Sequence, residues 1–318
     1  MRLFKTVAQL KTEQLLNSMN LVLQKYYKRD KIYHTQDYIL CGEGNIPIML
    51  IAHLDTVFKV SPQSIYYDTE QQVMWSPQGL GADDRAGVFL ILKLLQAGYR
   101  PSICFTMGEE KGGLGALALI RQFPKAPWPL KYIIELDRQG ANDCVFYGCD
   151  NQAFTDYVEE FGFLTDYGTF TDISHICPMW KVAGVNLSVG YLNEHSQIET
   201  LHIKALYGTL KKVQRMLDDA QNAQTFIYIQ DKTSYYAKLW DYYYMNDPAT
   251  PKYSCSGCGK AYTEDNIIPI KSKTEKGIKK YYCLDCITDD KVGWCAVCGE
   301  PFEMVTKRDT KCIDCKDK

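Results

Sequence analysis

The 318-residue sequence lacks any apolar run long enough to cross a membrane, which takes roughly 18 consecutive residues or more. It also lacks an excess of charge of one sign: 36 Lys and Arg stand against 38 Asp and Glu, for a formal net charge of −2. A nucleic-acid or anionic-membrane surface calls for a basic excess, so neither partner is expected. The opening stretch MRLFKTVAQLKTEQLLNSMNLVLQKYYK lacks the continuous apolar core of a signal peptide. Lys, Gln and Glu interrupt it, and the pattern predicts an amphipathic helix in a cytoplasmic protein. Most of the chain also lacks patterned cysteine. Cys41, Cys104, Cys144, Cys149 and Cys177 share no spacing and are expected to be reduced and structural. The other eight of the thirteen cysteines fall after residue 254 in four C-x-x-C pairs, a density that points to metal.

The length and a 46% hydrophobic content suit one domain of about 200–250 residues plus something smaller. Four short runs, IPIMLIA, SICFTM, KYIIEL and AGVNLSVG, are too apolar to alternate and too short for most helices. They suit strands buried on both faces. Helix-like stretches, AGVFLILKLLQAG and GLGALALIRQF, lie between them. The alternation predicts an α/β three-layer domain with a mostly parallel central sheet.

Each run leads into acidic or basic residues: His53 after the first, Glu109 and Glu110 after the second, Asp137 after the third, His195 after the fourth. Ligands bind outside the carboxyl ends of strands in such sheets, so these residues are expected to converge on one crevice. His53 and Asp55 stand two apart and would share a strand face, where a carboxylate can hold one imidazole nitrogen and leave the other for a metal. A bare His-x-Asp is more often a surface or core hydrogen-bonded pair than a ligand. GLGADDRAG places Asp83 and Asp84 ahead of an apolar helix, where one aspartate would serve as N-cap. Two histidines with three or more carboxylates and no cysteine suit two divalent ions such as zinc, cobalt or manganese, sharing a bridging carboxylate.

The succession HLD, GADDRAG, GEEKGG, ELD and NEHSxxE over residues 45–205 resembles that of the dinuclear zinc exopeptidases, the group containing bacterial leucyl aminopeptidase and peptidase T. The resemblance implies His53 and Asp137 on one metal and Glu110 and His195 on the other. It further implies a bridging aspartate, Asp55 behind His53, and Glu109 as general base. Asp83 is the expected bridge, with Asp84 its rival. Only 57 residues separate Asp137 from His195. That spacing leaves no room for the lid domain of about a hundred residues that many such enzymes insert there. His175 and Tyr191 are then in-chain candidates for oxyanion contact, with a plain hydrogen-bonding role as the alternative.

The tail pairs are Cys255/Cys258, Cys283/Cys286, Cys295/Cys298 and Cys312/Cys315. Their spacing predicts two structural zinc ions, each closed by four thiolates. Each half opens with C-x-x-C-G and closes with C-x-D-C, and a repeated unit favours sequential sites over a cross-brace. The layout is similar to LIM-type or tandem treble-clef modules. Residues 251–318 carry 13 Lys and Arg against 11 Asp and Glu, and eight thiolates outweigh two zinc ions. Protein binding, substrate delivery or oligomerisation therefore suits the tail better than nucleic acid.

The expected organisation is a catalytic domain at 1–222, a Tyr-rich helical connector at 223–254 that packs against a domain, and a zinc module at 255–318. The expected activity is a two-metal aminopeptidase acting on peptides or small amides. An N-acyl amide hydrolase is the alternative, and a noncatalytic protein that recognises a protein partner through the tail is the third reading. A scaffold needs neither base nor open metal positions, which disfavours the third.

Overall fold

The computed structural model describes residues 1–231, 253–258, 261–262, 267–287, 291–306 and 308–316. The chain divides into two compact units, Met1–Ala237 and Lys238–Lys318. No helix among the described residues is long and apolar enough to cross a membrane.

The strands of the first unit are β1 (Ile32–His34), β2 (Tyr38–Cys41), β3 (Ile46–His53), β4 (Tyr66–Asp68), β5 (Val73–Trp75), β6 (Pro101–Thr106), β7 (Tyr132–Arg138), β8 (Asp143–Val145), β9 (Leu164–Thr165), β10 (Gly184–Ser188), β11 (Tyr191–Leu192) and β12 (Thr200–His202). Its helices are α1 (Arg2–Gln9), α2 (Thr12–Leu23), α3 (Ala82–Gln96), α4 (Leu114–Gln122), α5 (Gln152–Glu160), α6 (Ile173–Trp180) and α7 (Ile203–Asp218). Eight strands form one sheet in the order β1-β2-β6-β3-β7-β10-β8-β9. The four apolar runs are its parallel centre, β6-β3-β7-β10, with antiparallel strands joining on either side. A smaller sheet, β11-β12-β5-β4, was not signalled by the sequence pattern.

The two-residue period of these strands sorts their side chains. Ile48, Leu50 and Ala52 of β3, Ile134 and Leu136 of β7, and Val185 and Leu187 of β10 join the core that includes α3 and α7. The intervening positions include Thr106, Glu135 and Asn186, all buried, and they lead on to His53 and Asp137. The face of the four central strands toward α3 and α7 is thus largely apolar, and the other carries polar groups toward the strand ends.

The N-terminal stretch is two helices rather than one. Leu10 and Lys11 are extended, with ψ of 140° and 150°. The Gln14 side chain accepts from the Lys11 N–H at 3.3 Å, and Arg85 donates to the carbonyls of Val7 and Leu10 at 2.8 and 3.1 Å. These bonds take up backbone groups left open where one helix ends and the next begins. Of the predicted connector, residues 223–231 lie along the first unit as extended chain rather than helix, with bridges Val182 to Ile227 and Cys149 to Gln230. Residues 232–252 lie outside the described residues.

The second unit contains a two-stranded ladder of β13 (Tyr253–Ser254) and β14 (Ala261–Tyr262). It also contains a sheet of β15 (Ile268–Lys271), β16 (Lys279–Tyr282), β17 (Val292–Trp294) and β18 (Pro301–Glu303), ordered β16-β15-β18-β17. The β15–β18 pairing joins the two cysteine halves in one sheet.

Candidate metal centre

His53 is the last residue of β3, and its side chain is 1% exposed. Its Nδ1 lies 3.1 Å from the Asp55 carbonyl and 3.6 Å from the Asp55 carboxylate. A proton on Nδ1, donated to that carbonyl, leaves the Nε2 lone pair free for a metal. Asp55 thus reaches the imidazole chiefly through its backbone, because the strand ends at His53 and the two side chains do not simply share a strand face. The Asp55 carboxylate instead accepts the N–H groups of Gly108 (2.7 Å) and Glu109 (3.3 Å), tying the glutamate loop to β3.

Asp83 and Asp84 divide two tasks. Asp84 is fully buried and accepts from the Gly87 N–H at 2.9 Å and from the His53 N–H at 3.2 Å. It acts as the N-cap of the regular part of α3, since the backbone at both aspartates is non-helical. Gly87 is needed beside it, because a Cβ there would lie 2.0 Å from the Leu136 carbonyl. Asp83 is turned to the histidines: Oδ1 lies 3.0 Å from His53 Nε2, and Oδ2 lies 3.1 Å from His195 Nε2. Asp137 Oδ1 is 3.5 Å from His53 Nε2, and Glu110 Oε2 is 3.0 Å from His195 Nε2.

Two overlapping sets, His53/Glu109/Asp137 and His53/Asp83/Glu110, present atoms within 4.8 Å of one another and could each hold a metal ion. Glu110 Oε1 is buried with no hydrogen-bond partner, as expected of a carboxylate oxygen shaped for a cation. His195 stands on a loop with φ of +60°, two residues after Asn193 at +58°. Its side chain is 53% exposed, which leaves this side of the centre open to solvent.

Crowded carboxylates govern the charge balance. Burial, outweighing the pull of His53 and helped by Asp137 and Asp172, pushes Glu109 up to about 9. Burial and the Asp83 charge likewise push Asp137 up to about 7 against the pull of His53. Burial disfavours a charged His53, but Asp137, Asp55 and Asp83 overcome it and raise the imidazole well above its ordinary value. Asp83 holds His195 up to about 9. A divalent cation among these groups would relieve the repulsion and deprotonate the imidazoles, so the donor set suits one.

Several supporting residues carry no motif of their own. Glu199 is fully buried and accepts from the N–H groups of Gly81 (2.5 Å) and Asp83 (3.0 Å), fixing the loop at a glycine whose φ is +64°. It is the final glutamate of NEHSQIE, which is the signal that could have singled it out. Asn186 bonds both the N–H and the carbonyl of Asp137, at 2.9 and 2.7 Å. The Tyr191 hydroxyl donates to Asp137 Oδ1 at 3.1 Å and is therefore engaged by a candidate ligand. His175 is 3% exposed on α6, with the Phe170 ring 5.0 Å away, and burial pulls it down to about 4. It packs where α6 meets α4, and burial there favours its uncharged form.

In the second unit none of the eight cysteines is in a disulfide. They gather as Cys255/Cys258/Cys283/Cys286 and Cys295/Cys298/Cys312/Cys315, the sequential arrangement, and each group could hold a metal ion. Backbone N–H groups of Gly257 and Cys283 point at Cys255 Sγ from 3.4 and 3.3 Å, and that of Cys312 at Cys295 Sγ from 3.3 Å. Lys271 Nζ, on β15, lies 3.3 Å from Cys298 Sγ and 3.8 Å from Cys312 Sγ. A strand from the first half thus brings a cation to the second cluster.

No family model matches the sequence, and no curated protein matches it. Solved structures do match. A tripeptidase from Staphylococcus aureus is similar at 13% identity and a TM-score of 0.52, over 69% of this chain and 97% of that one. A TET aminopeptidase from a marine sediment archaeon, Thaumarchaeota archaeon SCGC AB-539-E09, is similar at 13% identity and a TM-score of 0.51, over 70% and 98%. At these identities the likeness is one of fold: a mixed α/β unit with a large, mostly parallel sheet, to which this chain adds a tail holding two four-cysteine groups.

Proposed function

We propose that the protein is a metal-dependent hydrolase of peptide bonds, an aminopeptidase with two ions at the strand ends. One observation carries the reading: each oxygen of Asp83 meets a different histidine, and each histidine meets a further carboxylate. On this reading His53 and Asp137 hold one ion, Glu110 and His195 hold the other, and Asp83 bridges them. Zinc fits the donors best, with cobalt or manganese as substitutes. Two such ions, when bound, supply an acidified water and polarise a carbonyl oxygen.

The chain's own groups do the rest. Glu109, held by the backbone bond to Asp55, accepts the proton of the attacking water and returns it to the leaving nitrogen. Asp55, Asn186, Tyr191 and Glu199 orient the ligands through the hydrogen bonds described above. The two structural neighbours are a tripeptidase and an aminopeptidase, which supports a peptide substrate with a free amine. Eight thiolates in two groups support two structural zinc ions in the tail, which we assign to binding a protein partner.

Two measurements on the purified full-length protein test the reading. Metal analysis should find two ions beyond those of the tail, both lost in Asp83→Ala. The metal-loaded protein should hydrolyse small peptides with a free amine faster than their N-acylated counterparts. Cleavage of acylated substrates alone would move the assignment to an N-acyl amide hydrolase, and cleavage of neither at full metal content would remove it.

A further inference from the structure

A cavity of the first unit is lined by none of the candidate metal ligands. It encloses about 570 Å³ between the α1–α2 corner, the loop after Asp55 and the start of α3. Three cations line it, Lys11, Lys59 and Arg85, with Thr12, Thr56 and Gln63 among the neutral donors. No Asp or Glu lines it among the described residues. Nor does either lysine or Arg85 form an ion pair among them.

Arg85 is the telling group. It is 3% exposed, and its guanidinium donates to the carbonyls of Val7 and Leu10 and, at 3.3 Å, to Thr12 Oγ1. Its Nε has no acceptor. Burying a charge without a counter-charge is unfavourable, and an orphaned donor adds to the cost. The nearest compensation is indirect: Asp55 and Asp84 act on Arg85 only through space, and both carboxylates bond backbone N–H groups elsewhere. The N-terminus of α2 also opens at the rim, through Lys11 and Thr12, and its dipole favours negative charge there.

We propose that this cavity binds a small phosphorylated molecule, with the phosphate held by Arg85, Lys11 and Lys59. A phosphate takes charge-assisted hydrogen bonds from a guanidinium and from ammonium groups together. The cavity volume leaves room for an organic remainder beside it. The site does not depend on the proposed hydrolase activity.

Calorimetric titration of the full-length protein with inorganic phosphate at low ionic strength tests it, beside the Lys11→Gln/Lys59→Gln double variant and Asp83→Ala. Both lysines are exposed, so the double variant should keep the wild-type melting temperature. Saturable one-to-one binding is expected, unchanged in Asp83→Ala and weakened about tenfold or more in the double lysine variant. Absence of saturable phosphate binding overturns the proposal. So does binding that the lysine substitutions leave unchanged, or binding that Asp83→Ala abolishes, because the anion would then belong to the metal centre. Tighter binding of succinate than of phosphate would also overturn it, by making the ligand a carboxylate.

Discussion

The candidate metal sites of the two units are built by opposite strategies. In the first unit, His53 and Asp137 stand at the ends of strands that send alternate residues into a large apolar core, so the sheet positions the candidate ligands by itself. In the second, the buried groups are largely the cysteines themselves: Cys295, Cys312 and Cys315 surround Phe302, and Cys255 and Cys283 surround Ile267. Such small clusters cannot offset chain entropy alone, so there the ion must supply folding energy. The difference bears on the proposed roles: an ion on a preformed framework would be able to keep positions open for substrate, whereas an ion that holds the framework together would not.

Chelation should break the comparison most visibly. In the full chain treated with a strong chelator, amide exchange is expected to become nearly unprotected over residues 253–316, while strands β3 and β7 stay protected. Retained protection in the tail would show that its sheet stands without metal. Next in size, Glu109→Gln should lower turnover by about 10²–10⁴ with the active-site metal content unchanged, since the residue is assigned as base and not ligand. Metal loss in that variant would instead make Glu109 a ligand beside His53 and Asp137, a set the geometry also permits.

Lys271→Gln should sharpen the contrast within the tail. Removing the ammonium from Cys298 and Cys312 is expected to weaken zinc binding at the second cluster by about 10–100-fold and at the first by less, as competition with a chromogenic chelator can measure. Asp84→Ala should give the smallest effect. It removes a cap and leaves the His53 N–H without its acceptor, together about 2–4 kcal/mol. For a unit of this size that lowers the melting temperature by several degrees, at about 2–4 °C per kcal/mol, while active-site metal is retained.

The central strands and the candidate ligands were legible in the sequence for one reason. A strand buried on both faces must be an unbroken apolar run, so a polar residue at its end stands out. The grouping of the tail cysteines was legible because four-thiolate sites use paired C-x-x-C spacing, and these pairs gather in sequence order. The hidden residues act through the backbone or across long separations. Glu199 meets Asp83 by its N–H from 116 residues away, and Arg85 breaks the N-terminal helix from 75 residues beyond Leu10. The choice between Asp83 and Asp84 also needed the fold, because both aspartates precede the same helix and only the approach of β3 shows which one faces His53.

The pairing of β15 with β18 has a consequence for a population of chains short of zinc. Lys271 is the residue of β15 that meets Phe302 in that ladder, and its ammonium also stands against the second cluster. A tail that loses its first ion therefore frees the strand that flanks the second site and withdraws that site's cation. On the proposed zinc assignment, partly loaded molecules would be disfavoured relative to both extremes, so scarcity would divide the chains into tails that are complete and tails that are empty, with few between.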